Sequence, residues 1–381
     1  MSIVLEEQGL TLHHGDCIEV MRTLPDASVD AVVTDPPYGL EFMGREWDGA
    51  DGFRRSLNTA DAGRESVFGR ASRTSPEYRA GAMFQEWCEQ WAIEALRVLK
   101  PGGFLLAFGG SRTWHRLASA IEDAGFEIRD SIAWLYATGF PKNPNVLKPA
   151  FEPIVVGRKP MIGTLAVNQE KHGTGALNID AVRTKRAAGD RTEYGRGRVL
   201  PHANTTASLG EFAEVTPYVP HADGRRPTNV LLDASQADEL DATSKYSVSR
   251  QGKPRSADPG EGWGMSATGA EYSDAGGPSR FFPTFRFEAK AGGDERLAID
   301  GVKHPTVKPL ALMRWLVRLA TPKGGTVLEP FAGSGTTLEA ALLEGFNAIG
   351  IEREAEYLPL IESRVTKPLQ VAMFGGWDGA A

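Results

Sequence analysis

Only two of the 381 residues are cysteine, Cys17 and Cys88. Two thiols make a disulfide framework unexpected and fit a reducing compartment. No apolar run approaches the roughly 20 residues needed to span a bilayer, so no membrane segment is expected. The opening residues, Met-Ser-Ile-Val-Leu-Glu-Glu, lack a basic segment followed by an apolar one. A cytoplasmic location is therefore the expectation. Positive charge is also in deficit, with 42 Lys and Arg against 49 Asp and Glu and a formal net charge of −7. Such a balance does not announce a binder of polyanions; any phosphate contact needs a local basic surface. Against these shortages, a chain of this length with 41% hydrophobic and 24% charged residues is ordinary for a soluble protein. It can bury a full α/β core and carry an insertion or small second domain.

The most informative stretch is Asp35-Pro36-Pro37-Tyr38, which follows Val29-Asp30-Ala31-Val32-Val33-Thr34. A β-branched run ending in an acid and two prolines predicts a buried strand that stops abruptly. Open α/β sheets place their ligands at the carboxyl ends of such strands. Neither proline has a backbone N–H, and both hold φ near −65°, so the turn offers stiffly aimed carbonyl oxygens. With the Asp35 carboxylate it presents acceptors only. That suits a flat substrate carrying an NH2 group, with its ring against Tyr38. Adenine and cytosine are such substrates.

Upstream, Leu10-Thr11-Leu12-His13 predicts a short strand and Ile18 the start of a helix. His13, His14, Asp16 and Cys17 do not read as a metal site, because adjacent strand residues point to opposite faces. From Gly39 to Arg79 the chain is rich in Gly, Ser, Arg and Asp and poor in periodicity. It reads either as a loop closing over the bound substrate and contacting phosphates or as a solvated segment. Phe84, Trp87, Cys88, Trp91 and Ala95 fall on one helical face. Pro101-Gly102-Gly103 is expected to break that helix before a strand from Phe104 to Phe108. Ser111 is expected to cap a helix running to Ala124, with Gly125 as its stop, before strands Ser131–Tyr136 and Phe151–Val156. This alternation predicts a mostly parallel α/β sheet.

From about Met161 to Ala298 periodicity fades, and Arg183, Lys185, Arg186, Arg191, Arg196 and Arg198 cluster. The cluster reads as a phosphate-contacting surface or a solvated charged loop. Next come His304-Pro305-Thr306-Val307-Lys308-Pro309 and an apolar helix from Leu310 to Ala320. A second diagnostic run follows: Thr326-Val327-Leu328-Glu329-Pro330-Phe331-Ala332-Gly333-Ser334-Gly335-Thr336-Thr337, a strand, a glycine loop and a helix start. Gly333 and Gly335 let the backbone turn tightly and approach a ligand. The third glycine of the dinucleotide fingerprint is missing, which weakens a nicotinamide or flavin oxidoreductase reading. The next strand, Ala348–Ile351, ends in Glu352, a carboxylate able to accept from both hydroxyls of a ribose.

The Asp35-Pro36-Pro37-Tyr38 turn resembles motif IV of the amino-methylating DNA methyltransferases, and the Glu329–Glu352 run resembles their motifs I and II. The order, with the catalytic turn far ahead of the cofactor loop, resembles the circularly permuted β subclass. Phe42–Asp48 and Gly173–Asp180 are similar to methyltransferases of phage and prophage origin. The resemblance implies a Rossmann-like, permuted S-adenosylmethionine-dependent fold. It divides the chain into a catalytic half (1–160), an inserted target-recognition region (161–298), a cofactor-binding half (299–366) and a C-terminal tail (367–381).

It also implies a catalytic set of Asp35, Pro36, Pro37 and Tyr38. Glu329, Phe331, Gly333, Ser334, Gly335, Thr336 and Thr337 would hold the methionine portion of the cofactor, as would Thr306 and Lys308. Glu352 would hold the ribose. Asp16 would touch the adenine ring or simply cap its helix. Glu329 stands where the family often has Asp, which lengthens the reach and keeps the charge. The implied reaction is methyl transfer to the exocyclic amino group of a flipped DNA base. Asp at position 35 favours N6 of adenine over N4 of cytosine. A homodimer is in keeping with the resemblance, and a cognate restriction endonuclease is left open. The same turn also occurs in enzymes that methylate RNA or protein, against which the large insertion and permuted order argue. A catalytically silent DNA-binding protein of the same fold is the remaining alternative, against which all the motif residues stand.

Overall fold

The computed structural model describes residues 2–7, 9–39, 76–136, 139, 144–185, 223–244, 246–248, 275–285 and 297–367. Ten strands form one sheet: β1 (Ser2–Glu7), β2 (Leu10–His14), β3 (Val29–Thr34), β4 (Leu99–Phe108), β5 (Glu127–Leu135), β6 (Phe151–Arg158), β7 (Val230–Asp233), β8 (Thr284–Phe285), β9 (Thr326–Glu329) and β10 (Asn347–Glu352). Their spatial order is β1-β2-β10-β9-β3-β4-β6-β5-β7-β8. Within it, only β1 and β6 run against the other strands. The sheet is the expected mostly parallel one. Two strands from the C-terminal part of the chain, β9 and β10, are wedged between β2 and β3 from its beginning.

Both faces are covered, which is why β3 places the apolar Ala31, Val32 and Val33 in succession rather than alternating with polar residues. Val32 faces α1 (Cys17–Met21), α2 (Pro76–Val98) and α3 (Trp114–Asp123), in a core with Met21, Trp87, Trp91 and Leu117. Ala31 and Val33 face the opposite core, built from α6 (Leu310–Ala320), α7 (Thr336–Leu343) and α8 (Leu358–Val365). The aromatic stripe of α2 is thus core, as its spacing implies.

Several local expectations are corrected. Pro101-Gly102-Gly103 does not separate helix from strand: α2 ends at Val98, and β4 already starts at Leu99. The register jumps from Val29↔Leu99 to Ala31↔Phe104, so these residues form a wide bulge inside β4. A Cβ on Gly102 would stand 2.8 Å from Gly175 Cα, so the glycine serves close approach. Thr174 and Asn168 of the Gly173–Asp180 neighbourhood donate to Pro101 O from beneath the bulge, which gives that motif a packing role. Ser111 caps nothing: α3 starts after Thr113, whose hydroxyl instead donates to Tyr38 O at 2.8 Å. β5 starts at Glu127 instead of Ser131 and ends one residue short of Tyr136, and β6 runs past Val156 to Arg158.

The stretch 161–298 gives the far edge of the same sheet its strands β7 and β8, along with α4 (Leu165–His172) and α5 (Ala234–Thr243). Of its basic cluster, Arg183 pairs with Asp180 at 2.6 Å. Arg186, Arg191, Arg196 and Arg198 lie outside the described residues, as do residues 40–75 and 368–381. Among the described residues, no helix is long and apolar enough to cross a membrane, and no group of His, Cys, Asp and Glu could hold a metal ion.

Asp30 locks the wedge in place. Buried within β3, it accepts from Lys100 Nζ at 2.6 Å and from Thr326 N, the first residue of β9, at 2.8 Å. Truncation would orphan a backbone donor and an ammonium together. Asp30→Ala is expected to lower stability by about 2–3 kcal/mol in urea unfolding. A loss below about 0.5 kcal/mol would show that this bond does not hold the strands together.

Candidate active site

The acidic strand ends converge because β2, β10, β9 and β3 are adjacent and parallel. Asp16 follows β2, Glu352 ends β10, Glu329 ends β9 and Asp35 follows β3. All four line one cleft of about 480 Å³ at the carboxyl edge of the sheet. A cavity of this size lies within the roughly 300–1,000 Å³ of small-molecule sites. Of the residues singled out in the sequence, Pro36, Pro37, Tyr38, Thr306, Lys308, Phe331, Gly333, Ser334, Thr336 and Thr337 line the same cleft. Gly335 does not. It precedes α7 with φ +79°, and a Cβ there would meet Ile361 Cα at 3.2 Å.

At one end lies the glycine loop. Glu329 is buried and fully engaged, accepting from the hydroxyl of Thr34, from Thr337 Oγ1 at 2.6 Å and from Phe331 N at 3.1 Å. It braces the loop from within. Burial raises its pKa to about 8 against the lowering effect of these bonds. Glu352 accepts from Gly333 N and Glu354 N, each at 2.7 Å, and burial raises its pKa to about 7. Gly333 has φ +54° and lies under the His304 ring, which a Cβ would meet at 2.9 Å. His304 Nδ1 lies within hydrogen-bond reach of the Thr306 carbonyl, and the ring packs edge-on against Tyr357. Phe331 stacks between Trp87 and Trp91 of α2 with ring centroids 5.6 Å from each, while still facing the cleft.

Asp16 caps α1, accepting from Ile18 N at 2.9 Å, so the capping reading holds while the residue also borders the cleft.

At the other end the turn is not purely an array of acceptors. Lys308 Nζ lies 2.7 Å from Asp35 Oδ2, 3.3 Å from Glu152 Oε2 and 3.1 Å from the Tyr38 hydroxyl. That hydroxyl lies 2.8 Å from Asp35 Oδ1 and 3.2 Å from Glu152 Oε2. Burial alone would push the Lys308 pKa down, but Asp35 and Glu152 together hold it above the ordinary lysine value. Burial and the same two acids push the Tyr38 phenol well up. Both side chains keep their protons across the working range. Lys308 thus sits on the Asp35–Tyr38 turn, whereas the resemblance implies a place at the cofactor's methionine end.

Glu152 was missed, along with Trp134 and Tyr136 beside it in the cleft wall. β6 runs antiparallel, so its second residue arrives at the edge where the parallel strands finish. The signal would have been the lone acid in Phe151-Glu152-Pro153 at the start of an apolar strand.

The cleft therefore combines an acid-rich floor, aromatic walls and backbone donors held by a glycine loop. Its lining carries Asp16, Asp35, Glu152, Glu329, Glu352 and Glu354 against Lys308 and Arg353. This donor set fits a ligand that is cationic and carries ribose hydroxyls. An α/β sheet covered on both faces, with a ligand cleft at its carboxyl edge, is a Rossmann-like architecture. Residues 29–363 match the family model described as DNA methylase, covering both N6 and N4 amino-methylating enzymes, and the chain belongs to this family.

Among its relatives, the type II methyltransferase M.HindIII of Haemophilus influenzae is 29% identical over 207 residues, 45% of this chain. That match spans 65% of the relative's own length, just under two thirds. The type II methyltransferase M.ScaI of Streptomyces caespitosus is 21% identical over 365 residues, 96% of this chain and 84% of its own. Among solved structures, PvuII DNA methyltransferase (cytosine-N4-specific) aligns with a TM-score of 0.49 and 15% identity, covering 94% of this chain and 86% of its own. The M1.HpyAVI–SAM complex aligns at 0.42 and 17%, covering 94% and 99%.

The raised pKa of Glu329 ties stability to pH. Its unfolded carboxyl titrates near 4.5 and its folded one near 8, so the folded chain keeps a proton that the unfolded chain has lost. That contribution is complete below pH 4.5 and disappears as pH rises through 8. Between about pH 5 and pH 9 the unaltered protein should lose on the order of 2–4 kcal/mol more than Glu329→Gln does. Urea unfolding at both pH values reads the difference; equal slopes would mean that Glu329 is ionised throughout.

Proposed function

We propose that this chain is a site-specific DNA methyltransferase of the β subclass that methylates the exocyclic amino group of a flipped base, N6 of adenine. The observation carrying the reading is the joining of the Asp35–Tyr38 turn and the Gly333–Glu352 run in one cleft, though they lie about 300 residues apart in sequence. The order of these motifs along the chain supports the β subclass. Asp rather than Ser at position 35 supports adenine over cytosine, and the Gly173–Asp180 resemblance supports a phage or prophage type.

S-adenosylmethionine, when bound, supplies a methyl group activated by a positively charged sulfur. Phe331, Ser334, Thr336, Thr337 and the backbone at Gly333 and Thr306 would hold its amino-acid portion. Glu352 would take the ribose, each oxygen having a lone pair left after its backbone bond. Asp16 would border the adenine ring.

The base is stacked and paired inside a duplex and must be flipped into the cleft. Tyr38 would lie against its ring, held by the phenol's bonds to Asp35 and Glu152. The amino lone pair is ordinarily delocalised into the ring. Hydrogen bonds from the NH2 to Asp35 and to the Pro36 carbonyl localise it and aim it, so catalysis is positioning and electrostatics.

The test incubates the protein with S-adenosylmethionine and unmethylated genomic DNA, then analyses the digested nucleosides by mass spectrometry. N6-methyladenine is the expected product. N4-methylcytosine would overturn the base assignment, and no methylated base on duplex or single-stranded DNA would overturn the activity. Asp35→Ala should lower turnover by roughly 10³-fold or more while leaving S-adenosylhomocysteine affinity within about threefold. Equal losses in rate and binding would remove Asp35 from its role.

A further inference from the structure

Asp35 has no net charge to offer while it is paired one-to-one with an ammonium. Lys308 Nζ is 2.7 Å from its Oδ2, and the pair is largely buried, with side-chain exposures of 10% and 20%. Solvent and salt screen such a pair weakly. Yet the proposed chemistry develops positive charge next to it. The amino lone pair forms the new N–C bond, and the electrons of the broken bond leave with sulfur. Nitrogen then carries a full positive charge until one of its protons passes to the Asp35 carboxylate.

A second carboxylate alters the balance. Glu152 Oε2 is 3.3 Å from the same ammonium and 3.2 Å from the Tyr38 hydroxyl that bridges to Asp35. Its side chain is 22% exposed, so it too is poorly screened. Two acids around one lysine leave a net charge of −1 facing the amino nitrogen. Glu329, the other acid bearing on Asp35, is buried behind the hydroxyls of Thr34 and Thr337 and keeps its proton below about pH 8, so it adds no charge to this balance.

We infer that Glu152 is a positioning residue for methyl transfer, sharing the Lys308 ammonium with Asp35 so that the Asp35–Tyr38 turn keeps net negative charge as the amino nitrogen becomes positive. The inference rests on the amino-methylation reading. It assigns work to a residue outside the Asp35–Tyr38 turn and the glycine loop.

Charge balance can be separated from mere bracing. Glu152→Gln keeps the shape and removes the charge. It should lower kcat by roughly 10²-fold, with KM for DNA and calorimetric affinity for S-adenosylhomocysteine within about threefold. Glu152→Asp, which keeps the charge, should retain at least about a third of kcat. The decisive variant is Glu152→Gln with Lys308→Met, which returns the turn to net −1 and should be at least about fivefold faster than Glu152→Gln alone. A bracing role predicts that the double variant is no faster.

The inference is overturned if Glu152→Gln stays within about threefold of the unaltered kcat, or if the double variant shows no recovery. It is also overturned if Glu152→Asp loses as much as Glu152→Gln, or if Glu152→Gln no longer folds by thermal melting. Absence of any methylated amino base with the unaltered chain would instead strike the underlying reading, and this inference with it.

Discussion

The buried carboxylate of Glu329 is the point at which two distant parts of the chain become one site. It ends β9, yet it is held by Thr34 of β3, by Thr337 at the start of α7 and by the backbone of Phe331. A buried acid without such partners would cost several kcal/mol. With them, the strand that carries Asp35 and the loop that carries Gly333 can meet only in one relative position. Family members often have the shorter Asp at this place. The longer side chain still finds donors on both strands, so the departure keeps the brace.

Around that brace the site is governed by charge. Parallel packing of β2, β10, β9 and β3 brings their acidic ends together, and low local dielectric would set these carboxylates against one another. The structure answers by different means at each position. Glu329 and Glu352 accept backbone and hydroxyl donors, and burial still keeps their pKa values near 8 and 7. Asp16 serves the N-terminus of α1, where negative charge is favourable. Asp35 alone meets an ammonium, shared with Glu152. The result is an acid-rich cleft with, among the described residues that line it, one lysine at the Asp35–Tyr38 end, which fits the proposed cationic methyl donor and an amino group that becomes positive.

Much of this was legible in the order of residues. The apolar run Val29–Val33 and the two prolines announced a buried strand and its abrupt end, and the Thr326–Thr337 run announced a strand, loop and helix. Signals of that kind are local, so neighbours in sequence suffice to read them. The errors arose where meaning depended on distant partners. Pro101-Gly102-Gly103 looked like a helix breaker, but its Gly102 admits Gly175 and Asn168 against a bulge inside β4. Ser111 had the right chemistry for a cap, and the chain instead began α3 three residues later. Lys308 was read through its segment's resemblance, and only the fold shows its long side chain reaching Asp35 in the other half of the site.

By itself the sequence determined which residues are strand ends and which carry acids, because periodicity, proline geometry and glycine freedom act over a few residues. Only the tertiary structure decided that β9 and β10 enter between β2 and β3 and that β6 runs backwards. Strand order and direction depend on pairing across hundreds of residues, and no local pattern encodes them. Glu152 shows the consequence: an acid at the beginning of a strand is unremarkable in the sequence, and an antiparallel neighbour places it beside the ends of the parallel ones, within reach of Lys308 and Tyr38.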